Sequence, residues 1–456
     1  MNYYLRHPYA RFVAAAIGID LLVFGLAALG TWALSRPPWA PAAFALGSAV
    51  GALTCVAASA ISQAYTPETL SSWHQTVRAL LKSMGIDFVL ALILLAALHP
   101  APALTETLAS VGLLYFTLLL AARFGFRSVA SLRKPGRRVL ILGGSDLAIS
   151  IAEFITSRPQ AGIELVGFLC DDFLPDGIAG YPVLGPVHQL EKVLDVTGVD
   201  TIVVALKQRD DVFPADELIQ AKLRGLQVES GVAFYERLTG RLHLRDLRQS
   251  YLIFSDGFRT SPLAERVRRA FEVAMAALAL VVVAPVLAVC AVAIRLDSKG
   301  PVFYRQARVG KDGRIIRVLK LRTMRVDAEA GSGAKFACQD DPRVTRVGRI
   351  LRMTRLDEVP QYWNVLKGDM GVVGPRPERP EFMDILASRY PLVRLRLAHK
   401  PGVTGWAQVR YGYVGDIEEW ETKLGLDLYY MKHRSLLFDL VIILQTVKTV
   451  LLFRGI

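Results

Sequence analysis

Leu356-Asp357-Glu358-Val359-Pro360-Gln361 sets two adjacent carboxylates just ahead of a proline, and Gly374-Pro375-Arg376-Pro377-Glu378 follows shortly after. Proline suits the first position of a helix. The run Gln361-Tyr362-Trp363-Asn364-Val365-Leu366-Lys367 then stops at Gly368, the residue type that favours a helix C-terminus. Asp357 and Glu358 are therefore expected by a helix N-terminus, where the dipole favours ionised carboxylates. An ionised carboxylate serves as a nucleophile or as a ligand for a hard cation. Arg376, between two prolines, carries the guanidinium best shaped to grip phosphate. The chemistry open to such a set is phosphoryl transfer, and a capping role for Asp357 through Thr354-x-x-Asp357 is the plainer alternative.

The elements that must position these groups belong to a membrane protein. The chain has 456 residues, is 52% hydrophobic with positive mean hydropathy, and still carries a formal net charge of +13. That pairing points to basic surfaces facing anionic lipid or anionic substrates. No helix-turn-helix, zinc or RNA-binding aromatic motif supports a nucleic-acid partner. Cys55, Cys170, Cys290 and Cys338 are scattered without a Cys-x-x-Cys, which fits buried reduced thiols. Apolar segments at 12–34, 41–63, 85–99 and 103–122 read as four spans, the third short with Asp87 at its edge. Arg6, Arg11, Arg78, Lys82 and the basic cluster from Arg123 to Arg138 fall on one side, against Arg36 alone on the other. The Lys/Arg bias puts the N-terminus and everything beyond the fourth span in the cytoplasm. Asp20, within the first span, is assigned to helix packing.

A further uncharged run extends from Val273 to Ile294. Arg266, Arg268 and Arg269 flank one end, and Arg295, Lys299 and Arg305 the other, so both ends are expected on the cytoplasmic side. Pro285 sits mid-run, where it removes a backbone hydrogen bond. The pattern predicts a re-entrant helix-break-helix over 271–295 that dips into one leaflet; a plain kinked spanning helix is the competing reading.

Between the membrane parts, residues 137–240 predict a Rossmann-like parallel sheet, from strands at 138–142, 165–169 and 201–205 and a helix at 147–157. The dinucleotide fingerprint is partial. Gly143-Gly144-Ser145-Asp146-Leu147-Ala148 has Ser145 where a second glycine lets a pyrophosphate approach, with Asp171 or Asp172 as candidate ribose ligands. A structural or regulatory module is favoured over an NAD site, and the absence of Tyr-x-x-x-Lys weakens an NAD-dependent nucleotide-sugar dehydratase or epimerase. Residues 241–262 form a linker.

Residues 263–456 carry ordered motifs: Gly300-Pro301-Val302-Phe303-Tyr304-Arg305-Gln306, Arg308-Val309-Gly310, Lys320-Leu321-Arg322-Thr323-Met324, Asp341-Pro342-Arg343-Val344-Thr345-Arg346-Val347-Gly348, the Asp357-Glu358 and Arg376 motifs, and Lys400-Pro401-Gly402-Val403-Thr404-Gly405-Trp406-Ala407-Gln408. Together they resemble, almost end to end, the bacterial sugar transferases that move a hexose-1-phosphate onto polyprenyl phosphate. The four spans and Rossmann-like domain resemble the large members that start exopolysaccharide or O-antigen repeat units. Leu321, Thr323 and Val359 depart mildly from the usual Phe, Ser and Leu without removing a charged group.

The resemblance implies a mostly helical catalytic domain on the cytoplasmic face of the bacterial inner membrane. It implies that Asp357 attacks the β-phosphorus of a UDP-sugar, releases UMP, and holds the sugar phosphate until undecaprenyl or another polyprenyl phosphate takes it. Glu358, with Asp357, would hold Mg²⁺; Arg376 would bind substrate phosphate, with Lys320 and Arg322 as second choices. Asp369, Glu378, Glu381 and Asp384 are further carboxylates that sequence does not rank. Arg343 to Arg352 repeats arginine every three residues beside apolar ones, as an interfacial helix does, and the run 436–453 is expected to seat at the interface too. A homodimer through the middle domain is expected. A non-enzymatic alternative is a membrane scaffold whose middle domain senses a nucleotide.

Overall fold

Residues 11–248 and 249–456 form two units. The computed structural model describes residues 8–35, 77–87, 114–122, 137–159, 162–171, 177–206, 213–247, 249–258, 261–326, 341–411 and 419–451, with isolated positions between 48 and 62 and at 111 and 328. In the first unit, helix α1 (Pro8–Ser35) covers the first expected span. Val23, Phe24 and Ala27 of α1 share one core with Cys55, Leu80, Tyr115 and Leu119, and Asp20 is fully buried. The helix at 77–87 starts earlier than the expected third span. The expected spans at 41–63, 85–99 and 103–122 lie partly outside the described residues, and four crossings are not established. Among the described residues, Pro262–Asp297 is the helix long and apolar enough to cross a membrane.

The middle region is the expected α/β unit. Strand β1 (Arg137–Leu142) leads into helix α2 (Asp146–Thr156), followed by β2 (Ile163–Leu169), β3 (Val183–Gly185), α3 (Leu190–Val196), β4 (Thr201–Val204), α4 (Ala215–Leu223), β5 (Gln227–Ser230) and α5 (Gly231–Thr239). All strands are parallel, in the order β3-β2-β1-β4-β5. β1, β2 and β4 read as strands in the sequence because they are apolar runs buried on both faces. β3 and β5 lie at the sheet edges, are short, and are only half-buried or exposed, so they carry no such run.

The order reverses between β1 and β4, where ligands of such folds sit. Here Ser145 is spent on the fold: its hydroxyl donates to the Ala205 carbonyl at 2.8 Å and accepts from the Ala148 N–H at 3.2 Å as helix cap. Asp171 is spent likewise, accepting from the Val187 N–H at 2.9 Å. Asp172 lies outside the described residues.

In the second unit, α6 (Gln249–Phe254) precedes the long α7 (Pro262–Asp297). Ser261 caps α7, accepting from the Ala264 N–H at 3.1 Å, and Pro262 takes the first helical position. The break expected at Pro285 is corrected in form: helical backbone continues on both sides of it, so Pro285 lies inside one helix and not in an unwound gap. An interior proline removes one N–H bond and crowds the carbonyl four residues earlier, which bends a helix without having to unwind it. In apolar surroundings the remaining backbone bonds are kept because nothing else can satisfy them. Arg268, Glu272 and Ala276 are buried near one end and Cys290 and Ile294 near the other, while Leu278, Val281, Val282 and Val289 between them are exposed.

Strands β6 (Phe303–Val309) and β7 (Ile315–Leu321) form an antiparallel hairpin. Leu321 packs with Cys290, Ile294 and Leu351. Helix α8 (Arg346–Met353) is capped by Thr345, whose hydroxyl accepts from the Gly348 N–H at 3.0 Å. α8 exposes Ile350 and buries Leu351. Helix α9 (Gln361–Lys367), β8 (Gly371–Val373), α10 (Pro380–Arg389), a 3₁₀ stretch (Pro391–Ala398), β9 (Gly402–Thr404), α11 (Trp406–Arg410), α12 (Trp420–His433) and α13 (Leu436–Leu451) complete it. β8 and β9 pair in parallel. The interfacial seat expected for α13 is corrected on one face: Phe438, Val441 and Ile442 are core, and Asp439 pairs with Arg268. Asp439 therefore serves a partner in the protein, as Thr446 also does with Thr404 at 2.6 Å.

Candidate active site

Between α8 and α9 the backbone makes an uncommon turn. Thr354 ends α8 with its hydroxyl turned back on the Ile350 carbonyl at 2.9 Å, so it does not form the capping box. Arg355 then takes a left-handed conformation, φ 55°, a strained choice for a non-glycine residue of about 1–2 kcal/mol. Leu356–Glu358 follow as a 3₁₀ turn, and Pro360 occupies the cap position of α9 rather than its first turn. Gly368 closes α9 at φ 92°, as expected of a C-terminal glycine.

The turn buries both carboxylates, Asp357 and Glu358, each 8% exposed. Glu358 gathers cations from three directions. Arg376 grips it in fork fashion, Nη2 to Oε1 at 2.6 Å and Nη1 to Oε2 at 3.3 Å. Lys320 Nζ donates to Oε1 at 3.0 Å, and Arg355 Nη1 lies 3.5 Å from Oε2. Burial alone would raise the Glu358 pKa, but Arg376 and then Lys320 outweigh it and hold the carboxyl well below its ordinary range. Asp357 goes the other way. Burial first, and the neighbouring Glu358 second, push its carboxyl up to about 6. The helix dipole expected to keep it ionised is thus the weaker influence, because desolvation dominates in a buried turn.

Elements distant in sequence bring these groups together. Asn364 ties α9 to β7: its Oδ1 accepts from the Leu319 N–H at 2.9 Å and its Nδ2 donates to the Arg317 carbonyl at 2.8 Å. Lys320, next along β7, thereby reaches Glu358. The Arg376 loop is pinned by a backbone crossing in which a Cβ on Gly402 would lie 2.0 Å from the Gly374 nitrogen. Arg322 is not in the cluster. Its guanidinium donates to the Ser298 and Lys299 carbonyls, both at 2.7 Å, and so caps the C-terminal end of α7.

A second charged layer lies behind the Arg376 loop. Arg396 donates to the Arg376 carbonyl at 2.9 Å and pairs with Asp427 at 2.8 Å. Arg308 donates to the Pro377 carbonyl at 3.1 Å, and Lys423 to Glu378 at 2.9 Å. Sequence reasoning missed Arg396, Lys423 and Asp427, since nothing local marks them. Arg355 carries a signal, being charged and next to the motif, and it too was missed.

The donor set fits Mg²⁺ through one carboxylate. Glu358, expected to share a metal with Asp357, has both oxygens occupied by cations, whereas Asp357 has no ion pair within 4.0 Å among the described residues. Glu378 and Glu381 pair with Lys423 and Arg379, and Asp369 accepts from Asn364 at 3.4 Å. Asp384 is exposed. Among the described residues no three of His, Cys, Asp and Glu converge on one point.

Residues 263–453 match the family model described as bacterial sugar transferase, and residues 60–211 match one described as a CoA-binding domain. A UDP-N-acetylgalactosamine-undecaprenyl-phosphate N-acetylgalactosaminephosphotransferase of Aeromonas hydrophila is 40% identical over 216 residues, 47% of this chain and 50% of that protein. The chain thus spans half the length of that relative. A UDP-glucose:undecaprenyl-phosphate glucose-1-phosphate transferase of Escherichia coli (strain K12) is 42% identical over 325 residues, 68% of this chain and 67% of that one. The exopolysaccharide production protein PSS of Rhizobium leguminosarum bv. phaseoli is 42% identical over 188 residues, 40% of this chain but 93% of its own length.

Proposed function

The chain belongs to the bacterial sugar transferase family, and from that membership we propose that it transfers a hexose-1-phosphate from a UDP-sugar to a polyprenyl phosphate, starting an exopolysaccharide or O-antigen repeat unit. The observation that carries the reading is Asp357, a buried carboxylate set next to a carboxylate that gathers three cations. In the first displacement an Asp357 oxygen bonds to the β-phosphorus of the donor. The bond from that phosphorus to the bridging oxygen breaks, and its electron pair leaves with UMP. In the second, an oxygen of polyprenyl phosphate attacks the same phosphorus, and the Asp357 carboxylate departs with the pair of the acyl-phosphate bond.

Glu358 orients Arg376 and Lys320 so that their charge faces phosphate oxygens during both displacements, the positioning and electrostatic work on which phosphoryl transfer depends. Mg²⁺, when bound, neutralises diphosphate charge; Asp357 and the substrate's own phosphates are the oxygens that would hold it. We place the site on the cytoplasmic face of the bacterial inner membrane, with α7 entering and leaving on the same side. Support comes from the packing of both α7 ends within one unit and from its basic flanks. A straight helix of 36 residues would measure about 54 Å against a bilayer core of about 30 Å.

The test is UMP release by the full-length protein in nanodiscs, with undecaprenyl phosphate, Mg²⁺ and a donor panel including UDP-glucose and UDP-N-acetylgalactosamine. Release with one donor, and a sugar-phosphate adduct mapped to Asp357 when acceptor is withheld, is the expected result. Full turnover by Asp357→Asn would sink the proposal.

A further inference from the structure

The basic residues at the start of α7 look, in sequence, like a headgroup-facing stop ahead of the apolar run at Val273. Most of that charge is turned into the protein. Arg268 is buried, donates to the Tyr430 hydroxyl at 2.8 Å and pairs with Asp439. Arg269 donates to the Val365 and Leu366 carbonyls at 2.7 and 3.0 Å, satisfying the end of α9. Glu265 pairs with Arg434 at 2.6 Å and Glu272 with Arg269 at 3.7 Å. The face left outward is apolar: Leu263 and Val267, one turn apart, are 70% and 50% exposed, and the strip continues to Leu278 and Val281. Arg266 is the exposed charge among them.

Helix α6 presents the same character. Ile253 and Phe254 are 71% and 85% exposed, yet the helix is not loose. Lys432 donates to the Tyr251 hydroxyl at 3.1 Å, sits 4.3 Å over its ring, and accepts from the Phe258 N–H through its carbonyl at 3.1 Å. Lys432 and Arg434 stand at the end of α12, so α6 and the first turn of α7 are fixed to one place. We infer that α6 and the first turns of α7 form an apolar shoulder embedded in phospholipid at the headgroup–acyl boundary, so that lipid contact on α7 begins at Leu263, ten residues before the uncharged run. The shoulder is continuous with the α7 surface proposed to enter the bilayer, and among the described residues Arg266 supplies an exposed charge suited to an anionic headgroup. The inference rests on the membrane placement proposed above.

The test uses the full-length protein in phosphatidylethanolamine–phosphatidylglycerol proteoliposomes. Phe254→Trp, Leu263→Trp and Leu278→Trp are compared with the parent for the added emission, its quenching by lipids brominated close to the glycerol backbone or deep in the chains, and its quenching by aqueous acrylamide. Expected is shallow-bromine quenching at the first two sites, exceeding acrylamide quenching at least about twofold, and deep-bromine quenching at Leu278→Trp. Acrylamide access at Phe254→Trp and Leu263→Trp, with Leu278→Trp still quenched by lipid, overturns the shoulder and leaves the membrane helix standing. Protection from both quencher types at those two sites overturns it in favour of a second protein copy. Absence of lipid quenching at Leu278→Trp as well overturns the membrane placement itself.

Discussion

Two neighbouring carboxylates in one turn are driven apart by their surroundings. Asp357 is raised, so the folded protein favours its proton: the associated stability is complete below the ordinary value of 3.8 and is lost as pH rises through about 6. At neutral pH the proposed nucleophile is ionised at a cost of up to about 3 kcal/mol. UMP release should therefore climb with pH through about 6 and plateau above it, and a pH–rate profile measures this. Asp357→Asn, which cannot ionise, should abolish release yet raise the melting temperature at neutral pH by several degrees. Glu358 has the opposite linkage. Its pKa is depressed, so its stabilisation is present above the ordinary 4.5 and lost as pH falls. Removing its charge strands Arg376 and Lys320 in a buried site, a loss of about 3–5 kcal/mol. Glu358→Gln should thus lower both stability and kcat/KM, read by calorimetry and steady-state kinetics, while leaving the Mg²⁺ requirement per turnover unchanged.

At the scale of elements, the Arg376 loop has little regular structure and depends on what lies behind it. Arg396, Arg308 and Lys423 hold three successive residues of the loop through two backbone carbonyls and a carboxylate. Arg396→Met keeps most of the aliphatic bulk and removes the grip on the Arg376 carbonyl and on Asp427. It should reduce kcat at least about tenfold with little change in far-UV circular dichroism, since misplacing a positioned group by a fraction of an ångström is costly. Gly402→Ala puts a methyl against the Gly374 backbone and should destabilise the unit by about 1–3 kcal/mol, measured by denaturant unfolding. Both effects arise where chain segments cross, which is why neither Arg396 nor the Gly374–Gly402 contact has a signature in its own neighbourhood.

The whole molecule divides into a unit with its own parallel sheet and a unit carrying the candidate site. Each has a separate core: Val139, Ile141, Phe168 and Val203 in the first, and Leu321, Leu351 and Ile294 among those of the second. Two cores of this kind do not unfold as one two-state body. Differential scanning calorimetry in nanodiscs should show more than one transition. Phe168→Ala, which empties a fully buried site at a cost of about 3–5 kcal/mol, should lower one transition and spare the other. A shift of all transitions together would argue against independent cores.

The amino-acid order alone determined the family, the buried strands of the middle sheet, and the residues that the fold gathers at the candidate site. Asp357, Glu358, Arg376 and Lys320 stand in short motifs, and β1, β2 and β4 are apolar runs, so local pattern carries them. Edge strands β3 and β5 escaped because half-exposed strands lack such runs. Only tertiary structure decided the roles. Arg322 was spent on the end of α7, Ser145 and Asp171 on the middle fold, and Glu358 on three cations, since a buried polar group must find its partners wherever the chain brings them. The same requirement turned Arg268 and Arg269 inward and paired Asp439 with Arg268. Charge in a sequence marks cost and potential; its direction is set by which partners the fold delivers.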